Sequence, residues 1–349
     1  MQTQNKRCEP TTKTMQIAYS LEEFIGQVPQ GAVHAATIGN FDGVHQGHRE
    51  LIRLTSGKAA KLRSRSVAVT FDPHPEHVLR KSEEPKLLTP LPRKLELLEL
   101  AGMDAVLVLP FTRDMARMEP EHFVHEYLVK DLHIADLIIG YNFALGKERK
   151  GTFTTLCHMG NTWGFTVTRV QPVAVGGQAV SSTRIREQIR TGNVAEAASL
   201  LGRPHSIDGE VMHGEGRGAG LGFPTANVAY GNSLLPPAGA YATWVELLPY
   251  GNAVPCGGPY PAMTNVGTNP TFGGNGVTLE THLLNFSGNL YGRTMRVHIV
   301  ERLREEIRFS GASALCEQLA LDKRTAAEHL ERNPMPSLAL HRTAGGQQI

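Results

Sequence analysis

Residues 37–48 read T-I-G-N-F-D-G-V-H-Q-G-H, and this stretch constrains the chain more than any other. It leaves an apolar run, Ala35 to Ile38, turns on glycines, and enters a helical pattern near Gln46. A strand, a glycine turn and a helix N-terminus together present backbone N–H groups and a positive dipole end to a bound phosphate. His45 and His48 stand three apart at the head of the helix, so both imidazoles share one face and reach the same anion. The arrangement suits a nucleotide attacked at its α-phosphate.

The sequence around this loop alternates short apolar strands, at 35–39, 66–71, 105–109, 137–140 and 165–170, with amphipathic helices at 47–63, 92–101 and 120–130. That alternation predicts a parallel sheet covered on both faces, with its ligand beyond the carboxyl ends of the strands. A further helix is predicted over 183–201, after the polar cap S-S-T. From Ile207 the pattern changes to β-rich segments at 209–213, 240–248, 262–266, 279–286 and 295–302, separated by Gly, Pro and Asn. This is the pattern of an antiparallel barrel or sandwich. Two helical segments, 312–321 and 325–331, close it. The predicted domains are 15–190 and 191–332, with 333–349 a flexible tail and the join between Ser182 and Gly202.

Among 349 residues the formal net charge is +2, too mild to argue for nucleic acid or an anionic membrane as partner. Cys8, Cys157, Cys256 and Cys316 form no C-x-x-C pair, so neither a zinc site nor a disulfide framework is indicated. The polar N-terminus has no apolar core of a secretory signal, and no apolar run approaches membrane-spanning length. The expectation is a cytoplasmic protein acting on small molecules; oligomeric state is not legible.

Three further blocks accompany the loop in order: T-F-D-P-H-P at 70–75, I-G-Y-N-F-A-L-G-K-E-R-K-G at 139–151 and V-S-S-T-R-I-R at 180–186. Together the four resemble the nucleotidylyltransferase superfamily in the form used by FAD synthetases. The resemblance implies a Rossmann-like α/β domain that transfers AMP from ATP to the phosphate of FMN. It makes His45 and His48 catalytic and sets the nucleotide against Gly39, Asn40, Phe41, Asp42 and Gly43. Asn142 matches the family's polar residue at a nucleotide- or metal-facing position. Ser182, Thr183 and Arg186, with Ser181, stand at a helix N-terminus, a second anion site. Lys147 and Arg149 are further phosphate candidates, and His74 either shapes a turn or touches flavin. FMN brings its own nucleophilic oxygen, so positioning and donors near the α-phosphate suffice. Tyr141, Ala144 and Leu145 depart from the family's usual residues.

The second half carries H-G-E-G-R-G-A-G-L-G-F-P-T-A-N-V at 213–228, Y-P-A-M-T-N-V-G-T-N-P-T-F at 260–272, L-E-T-H-L-L-N-F at 279–286, L-Y-G-R-T-M-R-V at 290–297 and L-R-E-E-I-R-F at 303–309. Thr225 and Asn227, two apart in an extended stretch, face one side with hard oxygens suited to Mg²⁺ and phosphate. Glu280 shares a strand face with His282 and Leu284, and a carboxylate there can take a proton from an alcohol. The glycine run lacks G-K-[ST], so it is no P-loop. This series is similar to the riboflavin kinase module, a mainly antiparallel β-barrel with C-terminal helices. The resemblance makes Glu280 the base and Thr225 and Asn227 the metal ligands. It sets ATP against Gly216, Arg217, Gly222 and Pro224, and flavin against Asn265, Gly267 and Asn269. Ala219 replaces a basic residue frequent in the family.

The whole chain thus resembles the prokaryotic bifunctional riboflavin kinase/FAD synthetase family. Riboflavin would become FMN at the second site and FAD at the first, with ATP as co-substrate and Mg²⁺ serving both. A regulator that only binds flavin or nucleotide would have no need of His45, His48 and Glu280.

Overall fold

The computed structural model describes residues 14–29, 31–79, 86–214, 216–249, 257–268 and 276–335. The first half is a parallel sheet of β1 (Gln16–Ala18), β2 (His34–Ile38), β3 (Arg65–Asp72), β4 (Ala105–Pro110), β5 (Ile134–Gly140) and β6 (Thr166–Val170), in the order β1-β4-β3-β2-β5-β6. The strands are apolar on both faces because both are covered. Ala36, Val67, Val69, Leu137 and Ile139 enter one core. Their neighbours Ala35, Ala68, Val106 and Ile138 enter another beneath the helix Gln46–Leu62. That helix follows β2 directly, so the 37–48 loop lies at the carboxyl end of a central strand.

A two-stranded hairpin, β7 (Ala174–Val175) and β8 (Gln178–Ala179), precedes the second half. There β9 (His205–Met212), β10 (Ala226–Ala229), β11 (Gly239–Leu247), β12 (Gly257–Thr268), β13 (Val277–Leu283) and β14 (Thr294–Glu305) close into an antiparallel barrel, in the order β10-β13-β12-β11-β14-β9. Ile207, Val211, Tyr241, Val245, Leu279 and Val297 fill its core.

Three helix expectations are revised. The helix predicted over 183–201 is two, Ser182–Arg190 and Val194–Leu201, broken at Thr191-Gly192-Asn193, where Gly192 has φ +83°. The helix predicted over 120–130 is one α-turn, Pro120–Phe123, followed by a wider π-helical stretch, Val124–Asp131. The two C-terminal helices are one, Ala312–Arg332. The polar Asp322-Lys323-Arg324 reads as a break, but Asp322 is buried against Arg304, whose guanidinium donates to its carboxylate at 2.8–3.1 Å. Four strands escaped the alternation: β1, β10 and the two of the short hairpin, β7 and β8. Of the expected tail, 336–349 lie outside the described residues; Asn333 is tied down, its carbonyl accepting from Trp244 Nε1 at 3.0 Å.

The two halves touch through an apolar cluster, where Leu234 packs with Leu88, Val180 and Ile185, and through polar contacts. Leu234 N donates to the carbonyl of Leu87 at 2.8 Å, and Leu87 N to that of Asn232 at 2.9 Å. Arg296 on β14 pairs with both Asp208 on β9 and Glu96 on the helix Leu91–Leu100.

Candidate active sites

The first site is a cavity of about 730 Å³ beyond the ends of β2 and β5. His45 and His48 line it and stack with ring centroids 3.6 Å apart and planes 15° from parallel. His45 is the N-cap of Gln46–Leu62, and its Nδ1 accepts from the backbone N–H of His48 at 3.3 Å, leaving Nε2 to carry the ring proton. Burial pushes the His45 pKa down to about 4, against the opposing pull of Asp42. His48 also lies well below the ordinary imidazole value, through burial first and then the charges of His45, Lys94 and Arg203. Both rings are therefore neutral near pH 7, each with one N–H to offer.

The loop that aims them is anchored from behind. The buried Asp42 carboxylate accepts from Leu88 N at 3.2 Å, Thr89 N at 2.9 Å, Thr89 Oγ1 at 3.2 Å and the Arg186 guanidinium at 2.5 Å. Ser182 Oγ donates to the Asp42 carbonyl at 2.9 Å, and Gly43 N donates to Thr89 Oγ1 at 2.8 Å. Gly43 has φ +91°, and a Cβ there would meet Leu88 Cδ1 at 3.0 Å, so only glycine turns the chain at this point.

Gly39, Asn40, Phe41, Asp42, Asn142, Ser182, Thr183 and Arg186 all border this cavity, together with Ser181, His74 and Arg149. The Asp42 carboxylate and the Arg186 guanidinium, however, are paired with each other, and Ser182 Oγ donates to the Asp42 backbone carbonyl. Gly43 lies behind the cavity wall rather than on it. His74 Nδ1 accepts from Glu76 N at 3.2 Å, so its ring both shapes the turn and borders the cavity. Lys147 is drawn to Glu119 at 2.8 Å and is not among the cavity residues.

Lys94 was missed. It is buried, its pKa lowered by burial and pulled back by Asp42 and Asp72, and its charge bears on His48. The helical period held the signal: Lys94 is three and four places from Leu91 and Leu98, on the apolar face.

The second site is a cavity of about 310 Å³ at one mouth of the barrel. The pairing register builds its polar end. Glu280 on β13 pairs with Asn227 on β10 and with Asn265 on β12, so the three form one row across adjacent strands. All three border the cavity with Thr225; directly paired residues bring their Cβ atoms to about 5 Å. His282 also borders it, and its Nδ1 lies 2.8 Å from the Pro224 carbonyl, to which it donates as a neutral ring. Burial is the main cause of its lowered pKa. Leu284 lies past the end of β13, away from the cavity.

The opposite wall is apolar: Phe223, Ile307, Phe309, Leu315 and Leu319. The last two come from the helix Ala312–Arg332, clamped by the Arg304–Asp322 pair. Sequence reading missed this wall, although block 303–309 contains part of it.

Gly216 borders the cavity, and a short turn, Arg217–Gly220, follows. Gly222, at φ +82°, and Pro224 stand beside the cavity rather than on it. Gly267 pairs with Thr278 on the neighbouring strand, also off the cavity. Asn269 lies outside the described residues. A Cβ on Gly214 would sit 2.0 Å from Asn227 Nδ2, so this glycine lets the loop close directly over the asparagine.

Comparison with known proteins agrees with both halves. Residues 28–184 match the FAD synthetase family model and residues 201–330 the riboflavin kinase model. The bifunctional riboflavin kinase/FMN adenylyltransferase of Escherichia coli K12 is 39% identical over 305 residues, covering 87% of this chain and 95% of the relative. That of Bacillus subtilis 168 is 35% identical over 84% of this chain and 91% of its own length. This chain belongs to the bifunctional riboflavin kinase/FMN adenylyltransferase family. A crystal structure from Streptococcus pneumoniae called a macrolide-efflux protein superimposes with a TM-score of 0.77 at 28% identity, over 90% of this chain and 99% of its own. Among the described residues no helix is long and apolar enough to cross a membrane. The family member is thus a bifunctional enzyme, with riboflavin, FMN, FAD and ATP as its substrates and products.

Proposed function

We propose that the two reactions divide between the two cavities, FMN adenylylation at His45 and His48 and riboflavin phosphorylation at Glu280. The observation that carries this reading is the contrast in donors: stacked neutral imidazoles in one cavity, a carboxylate in a row with two asparagines in the other. The corresponding domains are 15–190 and 191–332, a division supported by family matches that fall inside those limits. ATP consumption in both steps supports the cytoplasm as the place of action.

In the first cavity the FMN phosphate oxygen is the nucleophile. The imidazole N–H groups donate to the oxygens of the α-phosphate as charge gathers there and pyrophosphate leaves. Their pinned geometry means little reorganisation is needed at that moment. In the second cavity Glu280 takes the 5′-hydroxyl proton of riboflavin as the hydroxyl oxygen attacks the γ-phosphate of ATP, the β,γ-bridging bond breaks and ADP leaves. The apolar wall around Phe309 and Leu319 supports the flavin ring, and Asn265 a polar edge of it.

Mg²⁺ fits the second cavity through the hard oxygens of Thr225 and Asn227, where it would neutralise charge on the ATP phosphates. Among the described residues no group of three His, Cys, Asp or Glu side chains forms a metal cage. A Mg²⁺ in the first cavity would therefore take most ligands from the nucleotide and water, as this ion commonly does.

The test is incubation with riboflavin, ATP and Mg²⁺, followed by chromatography of the flavins. His48→Ala should accumulate FMN without FAD. Glu280→Gln should form no FMN from riboflavin yet still adenylylate supplied FMN. Loss of both activities in either folded variant overturns the division.

A further inference from the structure

We propose that Arg203, a residue of the segment matched by the riboflavin kinase model, is a positioning residue for the adenylyl-transfer site. The inference rests on the reading of His45 and His48 given above and adds a part supplied from the other half of the chain.

Arg203 follows the helix Val194–Leu201, whose end is turned by Gly202 at φ +72°, and precedes β9. Its guanidinium reaches across to the 37–48 loop of the first half. One terminal nitrogen donates to the Gly43 carbonyl at 2.6 Å, the other to the Val44 carbonyl at 3.3 Å. The residue is 7% exposed. Among the described residues it makes no ion pair; Arg93, Arg49 and Arg296 are its charged neighbours, with Glu96 a weaker, opposing influence. Buried arginines ordinarily hold a carboxylate, because desolvating the charge is costly. This one is spent on three carbonyls, those of Gly43 and Val44 in the loop and, at 3.4 Å, that of Leu201 at the end of its own helix.

The two loop carbonyls belong to a contorted stretch of backbone in the first site. Phe41, Gly43 and Val44 have φ of +49°, +91° and +38°. A β-branched residue in that region is strained and persists only where its surroundings over-determine it. The next residue is His45, which caps the helix and stacks on His48. A planar fork on consecutive carbonyls fixes their directions in a way that a point charge cannot. Relaxing Val44 would therefore swing both imidazoles, while the row of Glu280, Asn227 and Asn265 is built independently by strand register.

The experiment compares Arg203→Met and Arg203→Lys in the full chain, measuring FMN adenylylation and riboflavin phosphorylation separately. For Arg203→Met the adenylylation kcat should fall by about ten- to a hundredfold, the scale expected for a misplaced reacting group. The KM values for FMN and ATP should hold within about threefold, and phosphorylation within about twofold, because neither binding walls nor Glu280 move. Arg203→Lys should recover part of the loss through one carbonyl bond. Full adenylylation kcat in a folded Arg203→Met protein overturns the proposal, as does an equal fall of both activities. Should Arg203→Met not fold, Arg203→Lys alone decides: an adenylylation kcat below wild type with phosphorylation intact supports the proposal, and unchanged kcat overturns it. His48→Ala is assayed alongside. If it still makes FAD, the reading of the imidazoles fails; if it is inactive while the Arg203 variants are unaffected, only the present inference fails.

Discussion

The adenylyl-transfer loop and the glycine-rich loop of the kinase half solve different problems with the same kind of residue. In the first, Asp42, Thr89, Ser182 and Arg203 tie the backbone down with buried hydrogen bonds, and glycine serves to make the turn. In the second, the row of Glu280, Asn227 and Asn265 lies on β10, β12 and β13, held by the barrel's own ladder, and Gly214 lets the loop close over Asn227. On the division of reactions proposed above, the difference follows from the chemistry. An attacking phosphate needs no base, so fixed donors do most of the work at the first site. An alcohol needs a base and a closed pocket, so the second pairs a rigid carboxylate with a cover able to approach it closely.

The largest test of this contrast removes the reacting groups. His48→Ala should lower FMN adenylylation by about 10²–10³-fold, as loss of one transition-state donor does. Glu280→Gln should lower riboflavin phosphorylation by about 10²–10⁴-fold. Each is read by steady-state rates on the separate substrates. If either variant depressed the other reaction to a similar extent, the two regions would be one functional unit and the contrast would fail.

The next test attacks the anchoring. Asp42→Ala leaves the Arg186 guanidinium and two backbone N–H groups without their acceptor. Breaking a buried pair this way costs about 3–5 kcal/mol. Denaturant unfolding should show that loss, and adenylylation at 25 °C should fall further than phosphorylation. Equal falls would mean that the loop anchors support the whole molecule rather than one site.

The sequence made these anchors hard to see. The strand-turn-helix around His45 and His48 was legible because a glycine turn between an apolar run and a helical period has few other readings. So was the antiparallel character of the second half, from its short strands, which left barrel and sandwich open until the resemblance to the riboflavin kinase module pointed to the barrel. The partners of Asp42 were not, since Thr89 and Arg186 lie 47 and 144 residues away and only tertiary packing joins them. Asp42, Ser182 and Arg186 belong to motifs that border the cavity, which says where a residue lies and not where its hydrogen bonds go. Likewise, alternation put Glu280 on a face, but only register set Asn227 and Asn265 beside it. Lys94 was readable, yet a charged residue on an apolar face is easily passed over.

A smaller effect probes the cover of the kinase site. Gly214→Ala would drive a methyl group to 2.0 Å from Asn227 Nδ2, so the asparagine must turn. The Mg²⁺ concentration needed for half-maximal phosphorylation should rise by about tenfold, the scale of a disturbed metal environment. Adenylylation should be unchanged. Unaltered Mg²⁺ dependence would remove Asn227 from the metal's surroundings and leave Thr225 as the protein's contribution there.

Acid is the perturbation under which the two regions should behave alike. His34 and His45 in the first half and His205 in the barrel are each pushed down to about 4 by burial. His48 and His74 in the first half, and His282 and His298 in the second, are lowered for the same leading reason. An unfolded imidazole titrates near 6.5, so below that pH the unfolded chain binds protons that the folded chain refuses. The stability that His34, His45 and His205 contribute is present above about pH 6.5 and is lost as pH falls toward about 4. Each such histidine adds about 1.4 kcal/mol per pH unit to the slope across that window. His205→Gln keeps a donor for the Leu234 carbonyl, which His205 Nε2 meets at 2.8 Å, but has nothing to titrate. Denaturation followed from pH 7 to 4 should show the slope of the variant shallower by about one proton. A slope equal to wild type would mean that His205 takes up its proton in the folded barrel, and that acid separates the two halves instead of treating them alike.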